Sequence, residues 1–144
     1  METKFNSQIC TSREQSERLL KLGLKKETAD CGHFYEREEH EIGCYWDVRY
    51  IGYGWENWNV TDNEIPAWSL HRLIEMIPQI IGHLELAVND AFVGYYEDRC
   101  ESETGMYWEH TEESSNLFDN IISTIEWLIN EGYFNKEYLK DGNI

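Results

Sequence analysis

The sequence reads as an α+β protein, one domain over residues 1–144 with an antiparallel sheet of three to five strands packed with three helices. Three observations carry this reading. Residues 114–130 repeat Leu117, Ile121, Ile125 and Leu128 at helical spacing, with Phe118, Ile122 and Ile129 beside them. Residues 83–88 and 91–96 are two apolar-rich runs joined by Asn89-Asp90, a turn too short for a parallel crossover. Residues 65–78, IPAWSLHRLIEMIP, hold both prolines of the chain around a second apolar stripe.

At 144 residues the chain is long enough to bury a core without disulfides or a metal. Its four cysteines, Cys10, Cys31, Cys44 and Cys100, form no CxxC pair and read as free thiols of a reducing cytosol. No apolar run reaches the roughly 20 residues of a membrane helix, and the polar start METKFNSQ is unlike a signal peptide, so a cytoplasmic protein is expected.

The net charge is −16, and it is uneven. Residues 1–26 carry six basic and three acidic side chains, whereas residues 27–144 carry six basic and 25 acidic ones. Such a surface repels phosphate backbones and attracts basic protein surfaces, so direct nucleic-acid binding is disfavoured.

In order along the chain, Thr11 with Glu14 predicts a capping box, followed by a helix to about Leu22. Gly23 is placed to end it and Leu24 to fold back on the last turn. Thr28-Ala29-Asp30 predicts a turn, and the charged run 36–41 a loop or exposed strand end. Residues 42–50 alternate, with Ile42, Cys44, Trp46 and Val48 on one side, as a half-buried strand does. Gly, Asn and Asp then favour a loop to Asn63. A helix is expected between the prolines, with Leu70, Leu73, Ile74, Ile77 and Trp68 on its apolar side and His71, Arg72 and Glu75 opposite. The hairpin sets Val88 opposite Ala91, Leu86 opposite Val93 and Leu84 opposite Tyr95. Residues 106–110 extend its sheet. The final helix starts near Thr111 or Ser114 with Glu112 and Glu113 at its positive end, and Gly132 stops it. Residues 135–139 close the chain as a turn.

The phrases TSREQSERLLKLGL with the following TAD, IPAWSLHRLIEMIP and IEWLINEGYF resemble small uncharacterised proteins of gut Bacteroides prophages and mobile elements. The segment 32–63 is the part least like that group. The resemblance rests on apolar helical phrases, so it implies a mobile-element origin and a cytosolic setting and carries over no catalytic residue.

Chemical motifs are sparse. Cys31, His33, His40 and Cys44 have zinc-compatible side chains, but Cys31-x-His33 is tighter than the usual knuckle and Cys44 is expected to face the core. No metal or other cofactor is therefore expected. Cys100 with His110 is the one thiol–imidazole pair considered, and surrounding glutamates would keep that thiol protonated. Phosphate-binding glycine loops are absent. The leading expectation is a non-enzymatic partner of a basic host protein surface, a mimic of nucleic acid or an inhibitor. The binding residues named for it are Glu36, Glu38, Glu39, Glu41, Trp55, Trp58, Tyr107 and Trp108. The second is a nucleotide or small-ligand binder with an aromatic pocket, for which Arg37, Arg49, Arg72 or Arg99 must supply positive charge.

Overall fold

The computed structural model describes residues 8–37, 44–51, 55, 64–99 and 105–140. It is an α+β structure with three α-helices and two antiparallel sheets, where a single sheet was expected. The chain falls into two compact units, Met1–Arg72 and Leu73–Ile144.

The first unit opens on helix α1, Arg13–Leu22. Its cap lies one residue beyond the expected one: Ser12 Oγ accepts the Gln15 N–H at 3.1 Å, and Gln15 Oε1 accepts the Ser12 N–H at 2.9 Å. Thr11 cannot serve because its hydroxyl is buried elsewhere, accepting the Trp68 N–H at 3.0 Å and sharing a hydrogen bond with Ser16 at 2.7 Å. Gly23, at φ 104°, ends the helix in the left-handed region, and the Leu24 N–H returns to the Leu19 carbonyl. A short 3₁₀ turn, Lys26–Thr28, leads into the sheet.

That sheet orders β1 (Cys31–Arg37), β2 (Cys44–Tyr50) and β3 (Glu64–Ala67) as β2-β1-β3. The expected strand 42–50 is present from Cys44, and residues 42–43 lie outside the described ones. Val48 does not face a core as the alternation suggested, since it is 39% exposed.

The largest revision concerns residues 65–78. The first half is extended, with Pro66 opposite Gly32 in β3, and helix α2 is only Leu70–Met76. The delay has a polar cause. Asp30 accepts both the Ser69 N–H at 2.8 Å and its hydroxyl at 2.5 Å, and Ser69 Oγ in turn accepts the Arg72 N–H at 3.1 Å, capping the helix there. Leu73 and Ile77 are buried as expected, joined by Met76, while His71 and Glu75 are exposed.

In the second unit β4 (Ile80–Ile81), β5 (Leu84–Asn89), β6 (Phe92–Arg99) and β7 (Gly105–Glu113) pair in chain order. The hairpin exists, but its register is two residues away from the expected one: Val88 faces Val93 and Leu86 faces Tyr95. A shift of two preserves which residues share a face. The turn is Asp90-Ala91, held by Asn89 Oδ1 accepting the Ala91 N–H, and no non-glycine residue among the described ones has positive φ. Strand β7 runs on to Glu113, so Glu112 and Glu113 belong to the sheet and not to a helix start. Helix α3, Leu117–Glu131, begins where Asn116 accepts the Asp119 N–H and ends at Gly132, φ 80°. Its buried stripe of Phe118, Ile121, Ile122, Ile125 and Leu128 packs on β6 and β7. Phe134 folds back over the last turn and is buried.

Candidate functional site

The residues expected to bind a partner do not form one group in the described structure. Glu38, Glu39, Glu41 and Trp58 lie outside the described residues. Glu36 stands near the end of β1, opposite Tyr45. Trp55 is a correction: it is fully buried, its ring stacks on Phe34 and its indole N–H donates to the Cys31 carbonyl at 2.8 Å. An indole so placed fills a core and its one donor is spent, so it cannot meet a partner.

Tyr107 and Trp108 are exposed at 42% and 38%, and they lie on β7, at the end of its sheet. Their placement follows from a bulge. Tyr95 pairs with His110 and Tyr96 with Trp108, so Glu109 has no partner and the two sides of β7 exchange faces across it. His110 and Tyr95 turn to α3, where His110 stacks on Trp127 at 4.4 Å and Tyr95 lies 5.8 Å from it. Trp108 turns to the other face, edge-on to Phe92 at 4.9 Å and 5.1 Å from Tyr96. Gly94 permits this, because a Cβ there would meet the His110 carbonyl oxygen at 2.9 Å, Phe92 Cζ at 3.0 Å and Trp108 Cζ3 at 3.1 Å.

Carboxylates are frequent on these strands: Glu85, Glu97, Asp98, Glu109, Glu112 and Glu113 lie on β5, β6 and β7 with a single guanidinium, Arg99. Arg99 sits 4.2 Å above the Tyr107 ring and pairs with Glu97 at 3.1 Å. Hydrogen bonds to Glu109 and Glu85 hold the Tyr107 and Tyr96 hydroxyls in the protonated form, raising both pKa values.

A second constellation escaped the sequence reading. Cys10, Cys31 and Ala67 cluster in the first unit, with His33 beside them. Positions 31 and 33 share a face of β1, and Cys10 reaches them because it bridges to Ser69, just beyond β3. His33 Nε2 lies 2.7 Å from the Thr11 carbonyl oxygen, which can only accept, so Nε2 carries a proton.

The Cys31 thiol donates to Cys10, and this, aided by His33 and opposed by burial and Asp30, pulls the Cys10 pKa down to about 6. The same contact, with burial and the Asp30 charge, pushes the Cys31 thiol up. Burial disfavours a charged His33, but the hydrogen bonds to Cys10 and Thr11 and the charge of Cys10 outweigh it, and the pKa rises. A cavity of about 280 Å³ lies against Cys10, His33, Gln8, Ile9, Ser12 and Val48.

Sequence reasoning missed this cluster because it grouped Cys31 and His33 with their neighbours in sequence. The signal that could have found them is the two-residue period of β1. Of the other pair considered, His110 is held by Trp127 and by Glu112 at 2.9 Å, and Cys100 lies outside the described residues. Among the described residues no three histidine, cysteine or carboxylate side chains converge as a metal ion requires, and no helix is long and apolar enough to cross a membrane. No family model, curated protein or solved structure matches the chain.

Proposed function

We propose that this is a non-enzymatic acidic interaction protein whose β7 edge and flanking carboxylates engage a basic surface of another protein. The observation that supports the reading is β7 itself. It is a nine-residue strand with Met106, Tyr107, Trp108 and Glu109 exposed in succession, and β6 is its one neighbour in the sheet order among the described residues. An exposed edge offers backbone donors and acceptors to a further strand, aromatic rings supply contact area, and carboxylates select a cationic partner. Unpaired edges invite aggregation, and the acidic side chains oppose indiscriminate pairing while tolerating lysine or arginine opposite. The binding surface is thereby moved from the run 36–41 to the second unit. The likeness of three apolar phrases to mobile-element proteins supports a host protein as the partner and the cytoplasm as the place of encounter.

The test combines salt with charge reversal. The purified chain is immobilised and host lysate passed over it at low and at high salt, beside a Glu109→Lys, Glu113→Lys variant and a Trp108→Ala variant. The reading expects a basic protein retained at low salt, released as the Debye length falls to about 3 Å near 1 M salt, and lost from both variants. Retention that ignores salt and both variants overturns it.

A further inference from the structure

The cluster around Cys10 sets a buried thiol and an imidazole against one cavity, with the imidazole held by the Thr11 carbonyl, which is the arrangement of a thiol with an acid–base group at its side. We propose that Cys10 is a hydroperoxide-reactive cysteine, oxidised stoichiometrically to the sulfenic acid by a small hydroperoxide that enters the cavity between His33, Ile9 and Val48. This is independent of the reading of β7, which uses no residue of the first unit.

The step balances with the groups present. The Cys10 thiolate attacks the terminal peroxide oxygen, forming the S–O bond as the O–O bond breaks. Sulfur gives up two electrons and the peroxide takes them. The departing alkoxide, or hydroxide from hydrogen peroxide, collects the proton of the His33 imidazolium. The products are Cys10 sulfenic acid, an alcohol or water, and neutral His33.

A competing use of the same thiol fits less well. Acyl transfer needs donors aimed at an oxyanion, and three of the nearby ones are committed. The Thr11 N–H goes to the Trp68 carbonyl, the Ser12 N–H to Gln15, and Gln8 Nε2 to the Cys10 carbonyl and Gln15. Cys31 lies against Cys10 in the buried cluster and donates a hydrogen bond to it. The charged and titratable groups facing the pair are Cys31, Asp30 and Arg13.

Reduced full-length protein is exposed in separate arms to hydrogen peroxide and to tert-butyl hydroperoxide with dimedone as the trap, and each of the four cysteines is scored by peptide mass spectrometry. Cys10 is expected to carry most of the adduct in at least one arm, and to keep it in a Cys31→Ser variant. His33→Gln is expected to slow the peroxide reaction by about tenfold or more, the scale of lost acid catalysis, and to slow iodoacetamide alkylation less, because alkylation has no oxygen leaving group to protonate. Adduct spread evenly over the four cysteines, or concentrated at Cys44 or Cys100, overturns the proposal on wild-type protein alone. Equal slowing of both reactions by His33→Gln overturns the role given to that side chain.

Discussion

The two units use charge and burial in opposite ways. Met1–Arg72 contains 13 acidic and nine basic residues, a balance of −4, whereas Leu73–Ile144 contains 15 and three, a balance of −12. Buried polar groups run the other way. Thr11, Ser16, Thr28, Asp30 and His33 are buried in the first unit, against Asn120 and Thr124 in the second. The first unit is tied together by specific hydrogen bonds between distant parts of the chain, such as Trp68 to Thr28 and Ser69 to Asp30. The second rests one apolar helix face on a sheet and leaves its acids at the surface. A low-charge setting suits a thiolate, which a crowd of carboxylates would protonate, and a high-charge setting suits recognition of a cationic partner.

The two cores should fail differently. Trp68→Ala removes a fully buried ring together with the donor to Thr28 Oγ1 at 2.9 Å, and large-to-small changes of this kind cost about 3–5 kcal/mol. Ile125→Ala on α3 opens a purely apolar cavity in the second unit, at about 2–5 kcal/mol, and should fall below Trp68→Ala because no hydrogen bond goes with it. Urea midpoints of the two variants make the comparison, and a larger loss from Ile125→Ala would remove the distinction between the two cores. Next in size is Gly94→Ala. The added methyl meets a backbone oxygen at 2.9 Å as well as two rings, so overpacking should cost about 1–3 kcal/mol and displace Trp108, visible as a change in tryptophan emission.

These elements were legible to different degrees, for physical reasons. The apolar stripe of α3, its stop at Gly132 and the α1 stop at Gly23 rest on local signals, period and glycine, and stand where the sequence puts them, whereas α3 starts at Leu117, later than the expected Thr111 or Ser114, because β7 runs on to Glu113. The hairpin partners share the expected faces, yet the register moved by two, because Asn89 supports the turn with its own side chain and Asp90-Ala91 needs no positive φ. The segment 65–78 misled because two prolines and an apolar stripe look like a helix. What decides it is Asp30, 39 residues from Ser69, whose carboxylate sets where α2 begins. Trp55 misled in the same way, since glycine and asparagine around an indole suggest a loop while Phe34 and the Cys31 carbonyl bury it. The Cys10 cluster joins residues 10, 31 and 33, which only strand pairing brings together.

The thiol cluster gives the first unit a pH response below the ordinary thiol value, whereas the raised tyrosines of the second unit respond on the alkaline side. A group whose pKa is lowered on folding stabilises the fold above its unfolded value and loses that contribution as pH falls. For Cys10 the window runs from the ordinary 9.0 down to about 6. His33, raised above 6.5, works in the opposite sense, with its contribution complete below 6.5 and lost as pH rises through the folded value. The stability difference between wild type and Cys10→Ser should therefore shrink as pH is taken from 8 to 5. A difference that is flat over that range would mean that Cys10 is a thiol in the folded protein.

The smallest effect probes the charge contrast itself. Arg49 with Asp47 at 2.7 Å in the first unit and Arg99 with Glu97 at 3.1 Å in the second are comparable surface pairs, and both arginines are half exposed. Pairs of this kind contribute about 0–1 kcal/mol, so contact geometry alone predicts equal and minor losses from Arg49→Gln and Arg99→Gln. The surroundings predict otherwise. Both arginines lie over a ring, Arg49 at 5.5 Å from Phe34 and Arg99 at 4.2 Å from Tyr107, but Arg99 is the lone guanidinium on strands carrying six carboxylates, so its removal leaves their repulsion unrelieved. Arg99→Gln should exceed Arg49→Gln by a few tenths of a kcal/mol, on the order of a single surface pair, at low salt. Because the excess is a field of exposed charges, it should vanish near 1 M salt, where the Debye length is about 3 Å. An excess that survives high salt would instead belong to stacking on Tyr107, and the acidity of the second unit would then be a matter of count without a shared field.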